Sequence, residues 1–527
     1  MGPEINIDSI LALEKQIEEG IGDVTRLKRA RNSLLNISTR VPPEILGHVF
    51  RWNVIPKGEF DGLRAGSYNF LLVCHHWFEV ASNTPELWTF WGNNLNQWSQ
   101  RYQRSGTAPF DLVLNATYSM RDMNAVPFNG PLRDALRDRV ARDSIRSVHL
   151  RGWDTNLLRS VVSSLTLDDE DVRNSSIQSL ILEQANLDIP TFIARHRFPK
   201  LRNLRLYTKA RIPSWDLLKL QSTSLTTLSL EFEAMAQSSP TTPQLLSILS
   251  SYQNLQDLSL SEAMIPDDAH DKSTFRTPLR HLTKLHLVGD CCRIFRLLHR
   301  LEYPDTLERV SLELLDCAAD RVLESLAPYL QERIRRDSRF QRRLGIRVSS
   351  RSNFISFKID AIHEFGVPTM LLKYDHPYMS FTALFKGPVP QGAEEKLCTN
   401  LIALTPREHV VGLAWELSIQ AMRDLATTMP NIEDLYLMGS VVSDPFLQPD
   451  PPSHAKLFPS LRRLCLGYFN LQNDGDWSPL TDYLIHQTSG GQAISLRLCR
   501  GHVPVPPGVI SEMEGLVKEF NLGYPNT

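Results

Sequence analysis

A hexapeptide pattern of apolar residues, L-x-x-L-x-L, recurs along most of the chain after about residue 144. Side chains of a strand point alternately to its two faces, so the pattern predicts a strand with one buried face. In the first run, successive copies begin 32, 24, 24, 30, 27 and 25 residues apart, which indicates a repeated structural unit. The copies begin at Ile145, Ile177, Leu201, Leu225, Leu255, Leu282 and Leu307, and after a gap at Val410, Ile432, Leu461 and Ala493.

A short lead-in precedes several copies, in which a bulky apolar residue is followed by proline. It occurs as Phe198-Pro199, Tyr303-Pro304, Met429-Pro430 and Phe458-Pro459. A proline at this place ends the preceding helix and lets a strand begin. Pattern and spacing together are typical of leucine-rich repeats. They predict an α/β fold, a solenoid with a curved parallel β-sheet and outer helices.

Residues 331–405 break the pattern. Seven arginines crowd this region, which usually marks a solvated helix face, with a partner-binding patch as the alternative. Apolar segments at 344–348, 354–357 and 370–372 look extended. They are either degenerate repeats or an inserted hairpin, and the sequence leaves both open. The arginines are Arg333, Arg335, Arg336, Arg339, Arg342, Arg343 and Arg347.

The N-terminal part of the chain has helical rather than strand periodicity. Apolar residues follow a heptad frame from Ile10 to Leu34, which predicts a helix within residues 1–36. Packing on a neighbouring part of the chain and a coiled-coil dimer are both open. A second helix is expected after Pro42-Pro43-Glu44, since proline is tolerated in the first helical turn. A third is expected to carry the apolar residues from Leu71 to Val80.

These short helices carry more apolar residues than about 50 residues can bury in a core of their own. Each large apolar side chain left in water forfeits about 1.5–3 kcal/mol, so a partner that covers several of them would bind firmly. The alternative is that this face packs on the N-terminal helix or on the first repeat.

Composition narrows the classes of function. The chain has 57 Lys and Arg against 59 Asp and Glu, a formal charge of −2, which argues against nucleic acid as the main partner. Its seven cysteines include no CxxC pair, which argues against a disulfide framework and a zinc module. No apolar run reaches the roughly 18 residues of a membrane span, and no secretory signal is evident. We therefore expect an intracellular protein, in the cytoplasm or nucleus, that does not bind membranes.

No motif of a known catalytic type is present, so we expect no enzymatic activity, no cofactor and no metal. The run Cys74-His75-His76 contains a nucleophile beside a base. Neighbouring residues on a helix point about 100° apart, however, which favours a packing role. An enzyme whose site is assembled from distant residues remains a minor alternative.

Three segments of the short-helix region resemble an F-box domain, in the form found upstream of leucine-rich repeats in many fungal proteins. They are VPPEIL at 41–46 followed by Val49-Phe50, LVCHHW at 72–77 and TPELW at 84–88, with Val41 in place of the family's usual leucine. The resemblance implies a substrate-recognition adaptor of a cullin–RING (SCF-type) ubiquitin ligase, docked on its Skp-type adaptor. The contacts implied are Pro42, Pro43, Ile45, Leu46, Val49, Phe50, Leu72, Val73 and Trp77.

The resemblance also implies that the repeats bind an unidentified target protein, while partners carry out ubiquitin transfer. A leucine-rich repeat scaffold that joins no ligase is the alternative. The polar positions between the apolar ones are predicted to form the concave, target-binding face: His149, Asn203, Arg205, Asp257, Lys284, His286, Arg309, Asp434, Tyr436, Arg463 and Arg497. The predicted organisation is an N-terminal helix (1–36), an F-box (37–92), a linker with a first repeat-like unit (93–143), leucine-rich repeats (144–330), the irregular segment (331–405) and C-terminal repeats (406–527).

Overall fold

A computed structural model of the chain has a mixed α/β architecture, in which parallel strands alternate with helices along much of the sequence. The α/β class predicted from the repeat pattern is confirmed. The structure describes residues 15–16, 19–24, 26, 41–54, 68–91, 98–115, 144–151, 176–185, 198–208, 215–219, 223–232, 239–267, 275–305, 307–317, 319–341, 344–351, 354–361, 379–385, 399–415, 428–438, 458–467, 477–489, 491, 493–499 and 505–523.

Some predictions fall on residues outside this part of the chain. The described residues between 15 and 26 are helical, but most of the heptad positions, from Ile10 to Leu34, lie outside the described residues. The same holds for the extended segment expected at 370–372 and for Arg342 and Arg343.

The chain divides into two compact units. Unit 1 comprises Met1–Pro213 with Leu220–Ser224, and unit 2 comprises Ser214–Lys219 with Leu225–Thr527. In unit 1 the strands pair in parallel in chain order. Its elements are α1 (Pro43–Val54), a 3-10 turn (Tyr68–Leu72), α2 (His75–Ser82), a second 3-10 turn (Pro85–Trp88), β1 (Phe90–Trp91), α3 (Trp98–Ser105), β2 (Phe110–Asn115), β3 (Ile145–Arg151), β4 (Ser179–Ala185) and β5 (Asn203–Thr208).

In unit 2 parallel pairing follows the chain in two runs, the first through β6, β7, β9 and β11 and the second from β15 to β19. The elements are β6 (Thr227–Phe232), α4 (Thr242–Ser250), β7 (Asp257–Leu260), β8 (Thr277–Pro278), β9 (Lys284–Asp290), α5 (Cys291–Arg300), β10 (Leu301–Glu302), β11 (Arg309–Cys317), α6 (Ala319–Arg336), β12 (Leu344–Arg351), β13 (Phe354–Ala361), β14 (Met379–Phe385), β15 (Val410–Trp415), β16 (Asp434–Met438), β17 (Arg463–Gly467), α7 (Ser478–Thr488), β18 (Ser495–Cys499), α8 (Pro507–Leu516) and β19 (Glu519–Gly523).

An antiparallel insertion joins the two runs of unit 2. Strands β12 and β13 form a hairpin, and β13 also pairs antiparallel with β14. The outer two strands continue the sheet, because β14 runs parallel to β11 and β12 runs parallel to β15. Of the two alternatives for this region, the inserted hairpin is therefore the one found, with Met379–Phe385 as a third strand that the sequence did not indicate.

The starts of the strands repeat a small set of backbone hydrogen bonds. The first apolar residue of a copy donates its N–H to the carbonyl three residues earlier, as Leu201 does to Phe198 (3.1 Å) and Leu461 to Phe458 (3.0 Å). These turns contain the lead-in prolines, which need no N–H there. Where their side chains are described, the fourth and sixth positions from Val148 to Leu498 are at most 2% exposed. The buried face predicted for the strands is thus found.

The last copy of the pattern differs from the prediction at its first position only, since Leu496 and Leu498 are buried as expected. Ala493 is exposed, and Ile494 occupies the buried first position instead. The chain also adds one helix and one strand beyond this copy, α8 and β19, where β19 pairs in parallel with β18. The sequence of β19, EFNLG, is too short and too polar to show the pattern.

Arg333 corrects the interpretation of the arginine-rich region as a solvated face. Its guanidinium is buried at the end of α6, where it donates to the Leu307 carbonyl (2.7 Å) and to Asp337 Oδ2 (3.0 Å). It therefore ties α6 to the turn that precedes β11. Arg335 and Arg336 are exposed and pair with Glu332, as expected for a solvated face.

Candidate functional site

The first candidate site is a group of short helices in unit 1, here called the helical module: α1, α2 and the two 3-10 turns, Tyr68–Leu72 and Pro85–Trp88. The N–H groups of Ile45 and Leu46 donate to the Pro42 carbonyl at 3.0 and 3.1 Å, which places Pro43 at the first helical position. Proline fits there because its missing N–H would have no intrahelical acceptor. The sequence thus fixes where α1 begins.

The predicted third helix is divided in the structure. Its first part forms the 3-10 turn Tyr68–Leu72, and α2 begins only at His75, after Cys74 in an extended conformation. His75 Nε2 lies 3.1 Å from Glu79 Oε1, one helical turn further on. The helix ends at Ser82, two residues after Val80, the last apolar residue predicted for it.

Two predicted contact residues belong to the core of the module. Leu46 is 4% exposed and Phe50 is fully buried, and the ring of Phe50 stacks on Phe70 with 4.5 Å between centroids. Trp77 is partly buried, with its ring 5.1 Å from that of Phe50. Leu46 and Phe50 therefore offer no side-chain surface for docking. Both lie about 100° around α1 from Ile45 and Val49, and the sequence pattern did not separate these two faces.

The remaining predicted contacts are exposed. On α1, Ile45 is 51% exposed and Val49 is 46% exposed. Leu72 and Val73, shortly after Phe70 in the chain, are 86% and 53% exposed. Pro42 and Pro43 are exposed beside them in sequence. Seven residues of the module's core are buried at the same time, so these side chains are left out of a core that is already filled.

Sequence reasoning missed two exposed aromatic residues. Trp52 is 72% exposed on α1, seven residues after Ile45 and three after Val49, and thus on the same helical face. The helical spacing alone could have identified it. Phe78 is 40% exposed on α2, and the Arg104 guanidinium carbon of α3 lies 5.6 Å from its ring centroid and 4.4 Å from that of Trp88. Arg104 thus partly covers this second aromatic group.

The second candidate site is the polar face of the strands, formed by the residues between the buried ones. The structure brings the predicted residues together in separate groups. In unit 1, His149 and Arg205 both pair in register with Ile181 of β4, and Asn203 begins β5. In unit 2, Asp257, Lys284 and Arg309 lie side by side on β7, β9 and β11, and His286 lies between Ser259 and Ser311.

A further group lies in the second run of unit 2, where Asp434 pairs with Arg463 and Cys465 lies between Tyr436 and Arg497. The antiparallel strands β12 to β14 lie between this group and the one on β7 to β11. The polar face of unit 2 is therefore not one uninterrupted series of repeats.

Three of the predicted target-binding residues are buried rather than solvent-facing. They are His149, Asp434 and Tyr436, each 6–8% exposed. Arg463 covers Asp434, with Nε on Oδ1 and Nη2 2.5 Å from Oδ2, and these hydrogen bonds raise the pKa of the Arg463 guanidinium. Tyr436 extends over Gly467 of the next strand, where a Cβ atom would lie 2.4 Å from its hydroxyl. Asp434 is thus covered by a long side chain of the next strand, and Tyr436 lies over a residue without a side chain.

No group of three or more His, Cys, Asp and Glu side chains is placed to hold a metal ion among the residues that the structure describes. Over the same residues, none of the helices is both long and apolar enough to cross a lipid bilayer.

Comparison with known proteins leaves these two surfaces as the basis for a functional argument. Neither a scan against protein-family models nor a search of curated proteins finds a match to this chain.

Proposed function

We propose that this protein is a substrate-recognition adaptor of an SCF-type ubiquitin ligase, in which the helical module is an F-box and the strands belong to a leucine-rich repeat solenoid. The observation that carries the proposal is the set of apolar side chains exposed on a module with a filled core: Ile45, Val49, Leu72 and Val73. The resemblance of residues 41–88 to an F-box names the partner, a Skp-type adaptor.

The energetics favour docking of this face on a partner. Full burial of a large apolar side chain is worth about 1.5–3 kcal/mol, and these residues are roughly half or more exposed in the free chain. A partner that covers three or four of them gains several kilocalories per mole before the cost of association is subtracted. Because α1 and the turn Tyr68–Leu72 are joined through the stacked rings of Phe50 and Phe70, the face is held in place before binding.

The strands support the second half of the proposal. They have three features of leucine-rich repeats: their spacing in the chain, the rows of buried apolar side chains, and the turn repeated at the strand starts. Repeats of this kind stack so that each unit contacts its neighbours and presents one continuous surface. The polar face with mixed charges suits recognition of a single irregular protein surface, so we assign target binding to it. An SCF-type ligase acts inside the cell, so we propose an intracellular location for the protein.

Capture of a purified Skp-type adaptor by the full-length chain tests the ligase connection. Ile45→Glu and Leu72→Glu each place a charge on the exposed face without touching the core, so each is expected to weaken capture tenfold or more. Gln103→Glu, on an exposed position of α3, introduces the same side chain away from this face and should leave capture unchanged. Circular dichroism should show the same helix content in all three variants.

Sequence alone would have suggested Leu46 as the residue to change, but a charge at this buried position would unfold the module and abolish capture for the wrong reason. If wild-type protein captures no adaptor, or if Ile45→Glu and Leu72→Glu capture as well as wild type, the F-box assignment fails. A repeat scaffold that joins no ligase would then be the better description.

A further inference from the structure

The polar face of unit 1 carries a cluster of charged residues that extends beyond the repeat pattern. It consists of His149 and Arg151 on β3, Glu183 on β4 and Arg205 on β5, here called the Arg151 cluster. His149 and Arg151 are two residues apart on one strand, and Arg151 pairs in register with Glu183. Glu183 in turn pairs with Tyr207, two residues after Arg205. All four side chains therefore lie on the same face of the sheet.

Glu183 is the centre of the cluster. Its Oε1 lies 3.4 Å from His149 Nε2 and its Oε2 lies 3.2 Å from Arg151 Nε. The His149 and Glu183 side chains are only 8% and 19% exposed, and that of Arg151 is 33% exposed. Two basic side chains thus share one carboxylate at a site that is largely shielded from water.

The electrostatic environment of Glu183 is strongly positive. Its pKa is lowered below the ordinary value, chiefly by the hydrogen-bonding interaction with His149, and further by the charges of His149, Arg151 and Arg205, against the opposing effect of burial. The guanidinium groups of Arg151 and Arg205 therefore both act on a single carboxylate. Another charged pair of unit 1, Arg146 with Asp111, is matched one to one, with two hydrogen bonds of 3.0 and 2.6 Å.

Arg151 uses only part of its hydrogen-bonding capacity. Its ion pair with Glu183 joins Nε to Oε2 and does not use the two terminal nitrogens. A guanidinium has five N–H donors in a planar fork, and the two terminal nitrogens match the two oxygens of a carboxylate. Arg151 is the last residue of β3, and its side chain is more exposed than those of His149 and Glu183.

We infer that the Arg151 cluster binds a carboxylate side chain of an acidic segment, with the terminal nitrogens of Arg151 as the main donors and Arg205 adding to the attraction. A carboxylate is favoured over a phosphate because Glu183 already offsets one of the charges of Arg151 and Arg205, which leaves one positive charge for a singly charged partner. The inference deepens the proposed function, on which it rests for the source of the segment: a target protein with Asp or Glu at the contact.

Binding of fluorescein-labelled octaglutamate to the full-length chain, followed by fluorescence anisotropy, tests this inference without any ligase component. Arg151→Gln should weaken binding about tenfold, and Arg151→Lys should recover only part of the loss, since lysine keeps the charge but lacks the fork. The matched control is Arg335→Gln, because Arg335 is an exposed arginine that also pairs with a glutamate. Arg335→Gln should bind octaglutamate as tightly as wild type does. All of these variants should capture the Skp-type adaptor as wild type does.

Three results would overturn the inference. An equal loss in Arg335→Gln would show attraction by overall charge rather than by a site. Binding of octaglutamate by Arg151→Lys as tightly as by wild type would exclude a bidentate contact. Binding of a neutral peptide with one phosphoserine about tenfold more tightly than octaglutamate would assign the site to phosphate. Loss of adaptor capture with intact octaglutamate binding would instead contradict only the proposed F-box.

Discussion

The helical module and the strands of the sheet both bury apolar side chains, but they expose different kinds of surface. In the strands, the apolar residues of each copy are buried and most of the residues between them are polar, as Leu258 and Ser259 illustrate. In the module, Leu46 and Phe50 are buried, while Ile45 and Val49 on the same short helix remain about half exposed.

The difference comes from the two periodicities. A strand alternates strictly, so its apolar positions all reach one face and its own fold accounts for them. Successive residues of a helix are about 100° apart, so Ile45 and Leu46 point in different directions and the apolar set of α1 divides between two faces. The fold of the strands therefore explains their apolar residues. The core of the module does not explain the exposed apolar residues of α1, Ile45, Val49 and Trp52.

The largest expected effect contrasts the two faces of α1. Phe50→Ala removes a fully buried ring that stacks on Phe70 and should destabilise the module by about 3–5 kcal/mol. Val49→Ala, next to it in the chain but on the exposed face, should cost well under half as much. Urea unfolding followed by tryptophan fluorescence measures both. Equal losses would show that Val49 belongs to the core and would remove the contrast.

An intermediate effect concerns the polar face of the strands. Gly467→Ala places a Cβ atom 2.4 Å from the Tyr436 hydroxyl, so the ring must leave its buried position over β17. We expect a loss of about 1–3 kcal/mol, typical of overpacking. The same substitution in a Tyr436→Ala background should cost almost nothing, because the clashing ring is then gone. A full cost in both backgrounds would point to backbone strain at Gly467 instead.

The smallest effect is the pH dependence contributed by Glu183. The pKa of Glu183 is lowered from its ordinary value of 4.5 in the folded protein. The ionised side chain therefore stabilises the fold fully at pH values above 4.5, and this contribution is lost as the pH falls through the folded-state pKa. Glu183→Gln should therefore be slightly less stable than wild type at pH 7, and the difference should shrink below pH 4.5. Urea midpoints at the two pH values measure it. A difference that grows on acidification would mean that the pKa is raised.

The strand ladder could be predicted from sequence because period two fixes both the face and the spacing of its residues. Prediction failed where a tertiary contact decided the outcome. Arg333 looked like one of several solvated arginines, but backbone carbonyls before β11 and the carboxylate of Asp337 make it a buried tie. The registry of β12 to β14 depends on pairing between segments far apart in the chain, which no local pattern contains.

The candidate site was predictable in part for the same reasons. The segment with exposed apolar residues was located correctly, but the division of α1 into a buried and an exposed face needed the position of Phe70, which lies outside α1 in the chain. On the polar face, the hexapeptide ends at Leu150 and Leu182, so it missed Arg151 and Glu183 one residue further on. Continuing the strand alternation by one step would have found them.

We propose that the exposed apolar face of the helical module is a docking surface for a Skp-type adaptor. Hydrogen exchange of the full-length chain, measured with and without the purified adaptor, tests it most directly. Exchange is expected to slow in Pro43–Val54 and Tyr68–Leu72 when the adaptor is present, and to stay the same in β16 to β18. Unchanged exchange in both helical segments at saturating adaptor, or protection confined to the strands, would contradict the claim.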